Sequence, residues 1–220
     1  MDAVGQRATP GCLLRRAVTV AAVALAVLAT AAAATPATSQ VALSRMTLQG
    51  SDLAPGAAVT TSYGGGGNGF PPSLDRAFGV ATTKAGFKLE GIVTEIDATP
   101  IARAALGYLD TRREIYGGTL GPTYLGADLA AGVGRMEALI PTKIHFGKLH
   151  AIAAGRQGWL VAATFSAAGA TFAVDELDLV VAGVNASLTV VAAGPSLPEP
   201  VSIALARTVA AHITSVLGPK

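Results

Sequence analysis

Residues 159–193 read WLVAATFSAAGATFAVDELDLVVAGVNASLTVVAA. Three runs rich in Val, Leu, Phe and Thr, over Trp159–Phe165, Thr171–Ala182 and Ser187–Ala192, are separated by Ala168-Gly169 and by Gly183-Val184-Asn185. β-Branched and aromatic side chains suit a pleated surface, and glycine between such runs supplies the positive φ of a tight turn. The stretch therefore predicts an antiparallel meander. In its middle strand Phe172 and Val174 have one parity, and Leu177, Leu179 and Val181 the other. Side chains alternate across a strand, so the switch at Asp175-Glu176 predicts a bulge.

Shorter strands over Lys143–Phe146 and Leu149–Ala153, on either side of Gly147, lead into the meander. Beyond it Val201, Leu205, Val209, Ile213 and Val216 recur at helical spacing, with Arg207 opposite and Gly218-Pro219 as a stop. That pattern predicts an amphipathic helix over Val201–Leu217. Further upstream, Ala57–Tyr63, Phe78–Thr83 and Leu89–Asp97 predict three strands. In the last of these Ile92, Thr94 and Ile96 share one face, and Val93, Glu95 and Asp97 the other. Ala85-Gly86 suits a hairpin between the second and third. The run Gly64–Gly69, followed by Pro71-Pro72, reads as a mobile hairpin loop.

Two helices separate these halves. The first has Thr99 as N-cap and Pro100 at its first position, where a missing N–H costs nothing. Ile101, Ala105, Tyr108, Arg112 (by its stem) and Ile115 form its inner face, and Gly117-Gly118 ends it. A second, glycine-weakened helix is predicted from about Tyr124 to Leu139, before Pro141. The order is βββ–αα–βββββ–α. This is an α+β domain over residues 47–218, with one antiparallel sheet of about six to eight strands and two or three helices packed on it.

The N-terminal segment has different physics. Arg7, Arg15 and Arg16 precede an uncharged apolar run, Ala17–Ala34, and small residues close it at Ala32-Ala33-Ala34 or at Ala37-Thr38-Ser39. Residues 1–34 thus have the anatomy of a secretory signal peptide, and residues 35–46 read as a short tether. An uncleaved anchor is the competing reading, because the run approaches the ~20 residues that span a bilayer. Either way the arginines stay inside and the rest of the chain is placed outside the cytoplasm. Arg15-Arg16 is followed by Ala-Val-Thr rather than a fuller twin-arginine pattern, which favours general export. Cys12, the one cysteine, leaves with the leader, and disulfides and thiolate chemistry leave with it.

The 220 residues are 51% hydrophobic and only 14% charged, with a formal charge of +2. Without Arg7, Arg15, Arg16 and Asp2 that charge falls to about zero. A clustered basic face for nucleic acid is not visible. Gly64–Gly69 is not a phosphate loop, because no Lys-Ser/Thr pair follows it, and Gly132-Val133-Gly134 lacks a preceding strand. His145 and His150 fall on opposite faces of an uninterrupted strand. His212 falls on the apolar stripe of the last helix and reads as a core histidine with one bonded ring nitrogen. On a strand the carboxylates of Asp175, Glu176 and Asp178 diverge, although a bulge would gather two of them towards a metal. Ser-x-x-Lys and Gly-x-Ser-x-Gly are absent from the sequence. No catalytic, metal, cofactor or ligand-binding residue is assigned from the sequence.

Leu53-Ala54-Pro55-Gly56, Arg76-Ala77-Phe78, Glu114-Ile115-Tyr116 and Ala206–Ile213 lie in an element order that resembles secreted or lipoprotein-type domains of high-GC Gram-positive bacteria. That pattern is loosely similar to the extracellular sensor domains of receptor kinases and to PsbP/Mog1-like lipoproteins. The paired cysteines of the sensor domains are missing, so the PsbP/Mog1-like branch fits better. The resemblance covers about residues 46–217 and brings no catalytic residue with it. Together these readings point to a non-catalytic module, secreted or held in the cell envelope, that binds a protein partner or a small ligand. Two alternatives are a carrier of an apolar molecule, in a cavity lined by Ala105, Ala204 and Ala211, and a hydrolase built on His212 or Asp175. No cofactor and no nucleic acid is expected, and membrane contact only through an uncleaved leader.

Overall fold

The computed structural model describes residues 39–67, 70–98, 102–132 and 142–218. The leader, the start of the tether, Thr99, Pro100 and Pro141 lie outside them. The domain is α+β, as expected. Its strands are β1 (Val59–Gly67), β2 (Phe70–Phe78), β3 (Ala81–Thr82), β4 (Lys88–Leu89) and β5 (Gly91–Asp97), then β6 (Thr142–Phe146), β7 (His150–Ala151), β8 (Gln157–Ala167), β9 (Ala170–Val181) and β10 (Val184–Ala193). Helices α1 (Gln40–Met46), α2 (Ala102–Gly117), α3 (Gly121–Gly132) and α4 (Glu199–Leu217) accompany them.

All ladders are antiparallel. The main sheet runs β1-β2-β5-β10-β9-β8-β6, with β7 on the same edge of β8 as β6, and β3 and β4 form a separate small ladder. The meander pairs as its sequence indicates, through two tight turns. Ala168 and Gly169 sit at φ 48° and 78°, and Ala182 and Gly183 at 52° and 85°. Paired positive φ values match the twist of the flanking strands. The second turn is one step earlier than expected. Val184 and Asn185 therefore already belong to β10, and Asn185 lies opposite Asp97 of β5.

The bulge expected at Asp175-Glu176 is absent. β9 pairs residue for residue with β8 from Val180 to Ala170 and with β10 from Val181 to Phe172. The parity switch has another cause: the sheet is covered on both faces, so both parities of β9 are buried. Leu177 and Leu179 join Ile92, Leu188 and Val209 in one core beneath α4 and α1. Val174 and Val180 join Trp159, Leu109 and Tyr116 in a second core beneath α2. A strand read between two cores loses its alternation.

Three other expectations are corrected. The tether becomes a helix from Gln40 onward. Ser39 caps α1 by accepting from the Ala42 N–H at 3.2 Å, and Leu43 and Met46 are fully buried. The glycine run is largely strand: Gly64 pairs with Leu74 and Gly65 with Ser73, while Asn68 and Gly69 lie outside the described residues. Gly65 has a reason to lack a side chain, because the Ser73 hydroxyl lies where its Cβ would be. The strand expected over Phe78–Thr83 breaks at Gly79-Val80. Ala85-Gly86 then closes only the β3–β4 hairpin, with Gly86 at φ 84°, and β5 passes into the main sheet.

On α2 the buried stripe is Ala105, Leu109, Arg112 and Tyr116: Ala105 and Arg112 face inward as expected and Ile115 packs partly buried beside them, whereas Tyr108 flanks the stripe partly exposed. α3 is seen over Gly121–Gly132; the remainder expected up to Leu139 lies outside the described residues. α4 is long and apolar enough to cross a membrane by composition, yet its stripe of Leu205, Val209 and Ile213 is buried against the sheet.

Candidate functional site

Cross-strand register gathers polar residues on the α2 face of the sheet. One row across it is Trp159, Asp178, Ser187, Glu95 and Asp75, from β8 to β2. The next row is Val180, Asn185, Asp97 and Ser73, and Glu176 lies beside Thr189 in the row on the other side. Residues opposite one another in antiparallel strands have Cβ atoms about 5 Å apart, and alternate residues on one strand are about 7 Å apart. Asp75, Glu95, Asp97, Glu176 and Asp178 thus share a single face. Helix α2 lies over β8, β9 and β10, leaving Asp75, Glu95 and Asp97 only half-buried.

Among the described residues, one cation enters this face, from α2. The Arg112 guanidinium makes ion pairs through Nη2 with Glu176 Oε1 at 2.7 Å and through Nε with Asp178 Oδ1 at 2.9 Å. Both carboxylates are almost wholly buried, and Thr189 Oγ1 donates to Glu176 Oε2 at 2.7 Å. Burial works against the charge on Arg112, but Asp178 and Glu176 more than offset it, so its pKa is raised. The guanidinium also lies 5.2 Å from the Tyr116 ring centre and 5.9 Å from that of Tyr108. This cluster replaces the metal reading of Asp175, Glu176 and Asp178. The first of these points to the opposite face, where its carboxylate accepts from Ser202 Oγ at 2.6 Å.

On β5 itself, neither Glu95 nor Asp97 makes an ion pair among the described residues. Glu95 accepts from Ser187 Oγ at 3.3 Å. The Asp97 carboxylate makes no hydrogen bond or ion pair among the described residues. Burial, and then the charges of Glu95 and Asp75, push its carboxyl up to about 7. Burial likewise pushes the Tyr108 phenol well above its ordinary range. Opposite Asp97 stands Asn185, 5% exposed, with neither its amide nitrogen nor its oxygen bonded among the described residues. An unbonded buried amide costs about 1–3 kcal/mol, so folding alone gives no reason for it.

Asp97 makes stability depend on pH. Its folded value, about 7, exceeds the ordinary ~3.9 of an unfolded chain. Between these limits the native state keeps a proton that the unfolded state has released, so stability falls as pH rises from about 4 to about 7. Asp175, raised to about 6 chiefly by burial, adds a contribution of the same sign. Asp97→Asn is expected to remove its share, on the order of 2 kcal/mol after allowance for solvent screening. The check is thermal unfolding at pH 5 and pH 8. A variant that loses as much stability as the parent over that interval would show that Asp97 is ionised without strain.

The three histidines lie elsewhere. Gly147–Leu149 interrupts the strand expected through His145 and His150, which face Thr164 and Leu160 of β8. The interruption puts both on the α4 side of the sheet, four positions apart along β8. His150 Nε2 is 3.1 Å from Glu199 Oε1 at the start of α4. His212 is half-buried rather than a core residue. Its Nδ1 donates to the Thr47 carbonyl at 2.9 Å, as expected for one nitrogen, and Nε2 is 3.5 Å from Asp52 Oδ1. It ties α4 to the segment after α1.

The sequence reading placed Glu95 and Asp97 on one face of β5 and missed their neighbours. Comparison with protein-family models, curated proteins and solved structures finds no match, so the resemblance to PsbP/Mog1-like lipoproteins rests on element order and composition alone.

Proposed function

We propose that the chain is an exported, non-catalytic module of the cell envelope or extracellular space that binds a small polar ligand on the polar face of β5 and β10 beside α2. Asn185 carries this reading. It is a buried amide without a bonding partner among the described residues, set on the same face as the carboxylates of Glu95 and Asp97. A ligand that bonds the amide and offsets those charges would remove both costs. The sequence supports export through the arginines and apolar run of residues 1–34. A binding role is favoured over hydrolysis because His145, His150 and His212 all lie on the side away from these carboxylates. The apolar-carrier reading loses support, since Ala204 and Ala211 are exposed and Ala105 is packed in a core.

The test is protein recovered from the envelope or culture supernatant of its producing cells. Its first residue is expected between Thr35 and Val41, and a start at Thr35 keeps the Ser39 cap of α1. Native mass spectrometry is expected to show an added small-molecule mass that Asp97→Asn loses. Intact Met1 on soluble cytoplasmic protein overturns export. A mass retained by Asp97→Asn overturns the site.

A further inference from the structure

The acceptors of this polar face are spread out rather than convergent. Glu95 and Asp97 alternate on β5, Asp75 stands across from Glu95, and Asn185 stands across from Asp97. Strand geometry puts the two β5 carboxylates about 7 Å apart. A calcium ion needs several oxygens together at roughly 2.3–2.6 Å. No trio of histidine, aspartate, glutamate or cysteine among the described residues meets that condition. The set suits a ligand that brings N–H donors to several points at once. The cation whose field reaches Asp97 is Arg112, and Glu176 and Asp178 already share its guanidinium. Apolar contact for a methylene stem is at hand in half-buried Val93, which lies on the same face of β5, and in the partly exposed Tyr108 ring. An aromatic face also attracts an ammonium or guanidinium group.

We infer that this polar face takes an organic cation with donors at both ends of a short stem, a diamine or a guanidino-amine, held between Glu95 and Asp97 with Asn185 bonding the buried end. This rests on the binding-module reading above and gives it a ligand class. Asn185 suits that role because its carbonyl accepts an N–H from the cation while its amide nitrogen is free to donate to a carboxylate on the same face. The carboxylate contacts are charge-assisted and only half-buried, so affinity falls as salt is added.

The experiment is calorimetric titration of the processed protein, purified from its producing cells and stripped of bound small molecules. It is run at pH 8 and low ionic strength with agmatine, 1,4-diaminobutane and calcium chloride as separate probes. Saturable binding of agmatine or the diamine is expected. It should weaken at least tenfold in Asp97→Asn and in Glu95→Gln, and stay unchanged in Glu199→Gln on the opposite face. Glu95→Gln keeps the test usable if Asp97→Asn alters folding, and far-ultraviolet circular dichroism checks each variant. Saturation by calcium alone overturns the organic-cation class and makes the polar face a metal site. Equal affinity for agmatine in parent, Glu95→Gln and Asp97→Asn overturns the location. If no probe binds, the class is wrong; the native-mass measurement then decides separately whether the binding-module reading falls with it.

Discussion

Replacing Arg112 by methionine is expected to lower the stability of the domain by about 3–5 kcal/mol. The substitution keeps most of the apolar stem that α2 packs beside Leu109 and Tyr116, and it removes the charge. Glu176 and Asp178 are then left at 1% and 4% side-chain exposure without the cation that both use. The Thr189 hydroxyl still donates to Glu176, but a neutral hydrogen bond recovers only a fraction of what two desolvated carboxylates lose. The guanidinium contacts with the Tyr108 and Tyr116 rings go too, worth about 0.5–2 kcal/mol together. Urea unfolding with an unchanged slope is the measurement. The triple variant Arg112→Met, Glu176→Gln, Asp178→Asn should recover most of the loss, because neutral amides at these positions no longer need a cation. A single variant within about 1 kcal/mol of the parent would mean that water already reaches the two carboxylates.

The same cluster explains what the sequence could and could not reveal. The meander was legible because long runs of Val, Leu and Thr between glycine turns agree with one another locally and globally. The alternation of Val93, Glu95 and Asp97 was legible for the same reason. The false bulge came from a rule that assumes one buried face, whereas β9 lies between two cores and puts Asp175 towards α4 and Glu176 and Asp178 towards α2. Helix α1 was missed because a seven-residue element is too short for periodicity to register, although Ser39 was available as an N-cap signal. The glycines of β1 look like a loop in isolation. In the sheet Gly64 leaves room for the Gln40 side chain, which donates to the carbonyls of Gly65 and Ser73 at 3.1 and 3.3 Å. The polar rows that cross the sheet were not legible. Asn185 and Asp97 meet only through the β5–β10 ladder, with helices α2 and α3 and the four strands β6 to β9 between them in the chain. Nothing local in either segment encodes that partner.

Introducing aspartate at Val209 is expected to be the most damaging single change on α4. Val209 has no solvent exposure and lies mid-stripe between Leu205 and Ile213, over the core formed with Leu177 and Leu188. The shorter side chain gives up buried methyl contact, and its charge meets no cation in that core. The protein must then hold the carboxyl protonated or open the helix to water. A loss of about 4 kcal/mol or more follows. For a domain of this size that corresponds to a fall in Tm of roughly 8–16 °C. Arg207→Asp on the same helix is the matched control. That side chain is exposed, and its Nε donates to the Ala153 carbonyl at 3.2 Å, so its replacement should cost about 1 kcal/mol or less. Thermal unfolding of the two variants side by side tests the register of α4 on the sheet, because a rotation of the helix by half a turn would exchange their effects. Equal melting temperatures would mean that the stripe through Val209 does not face the core.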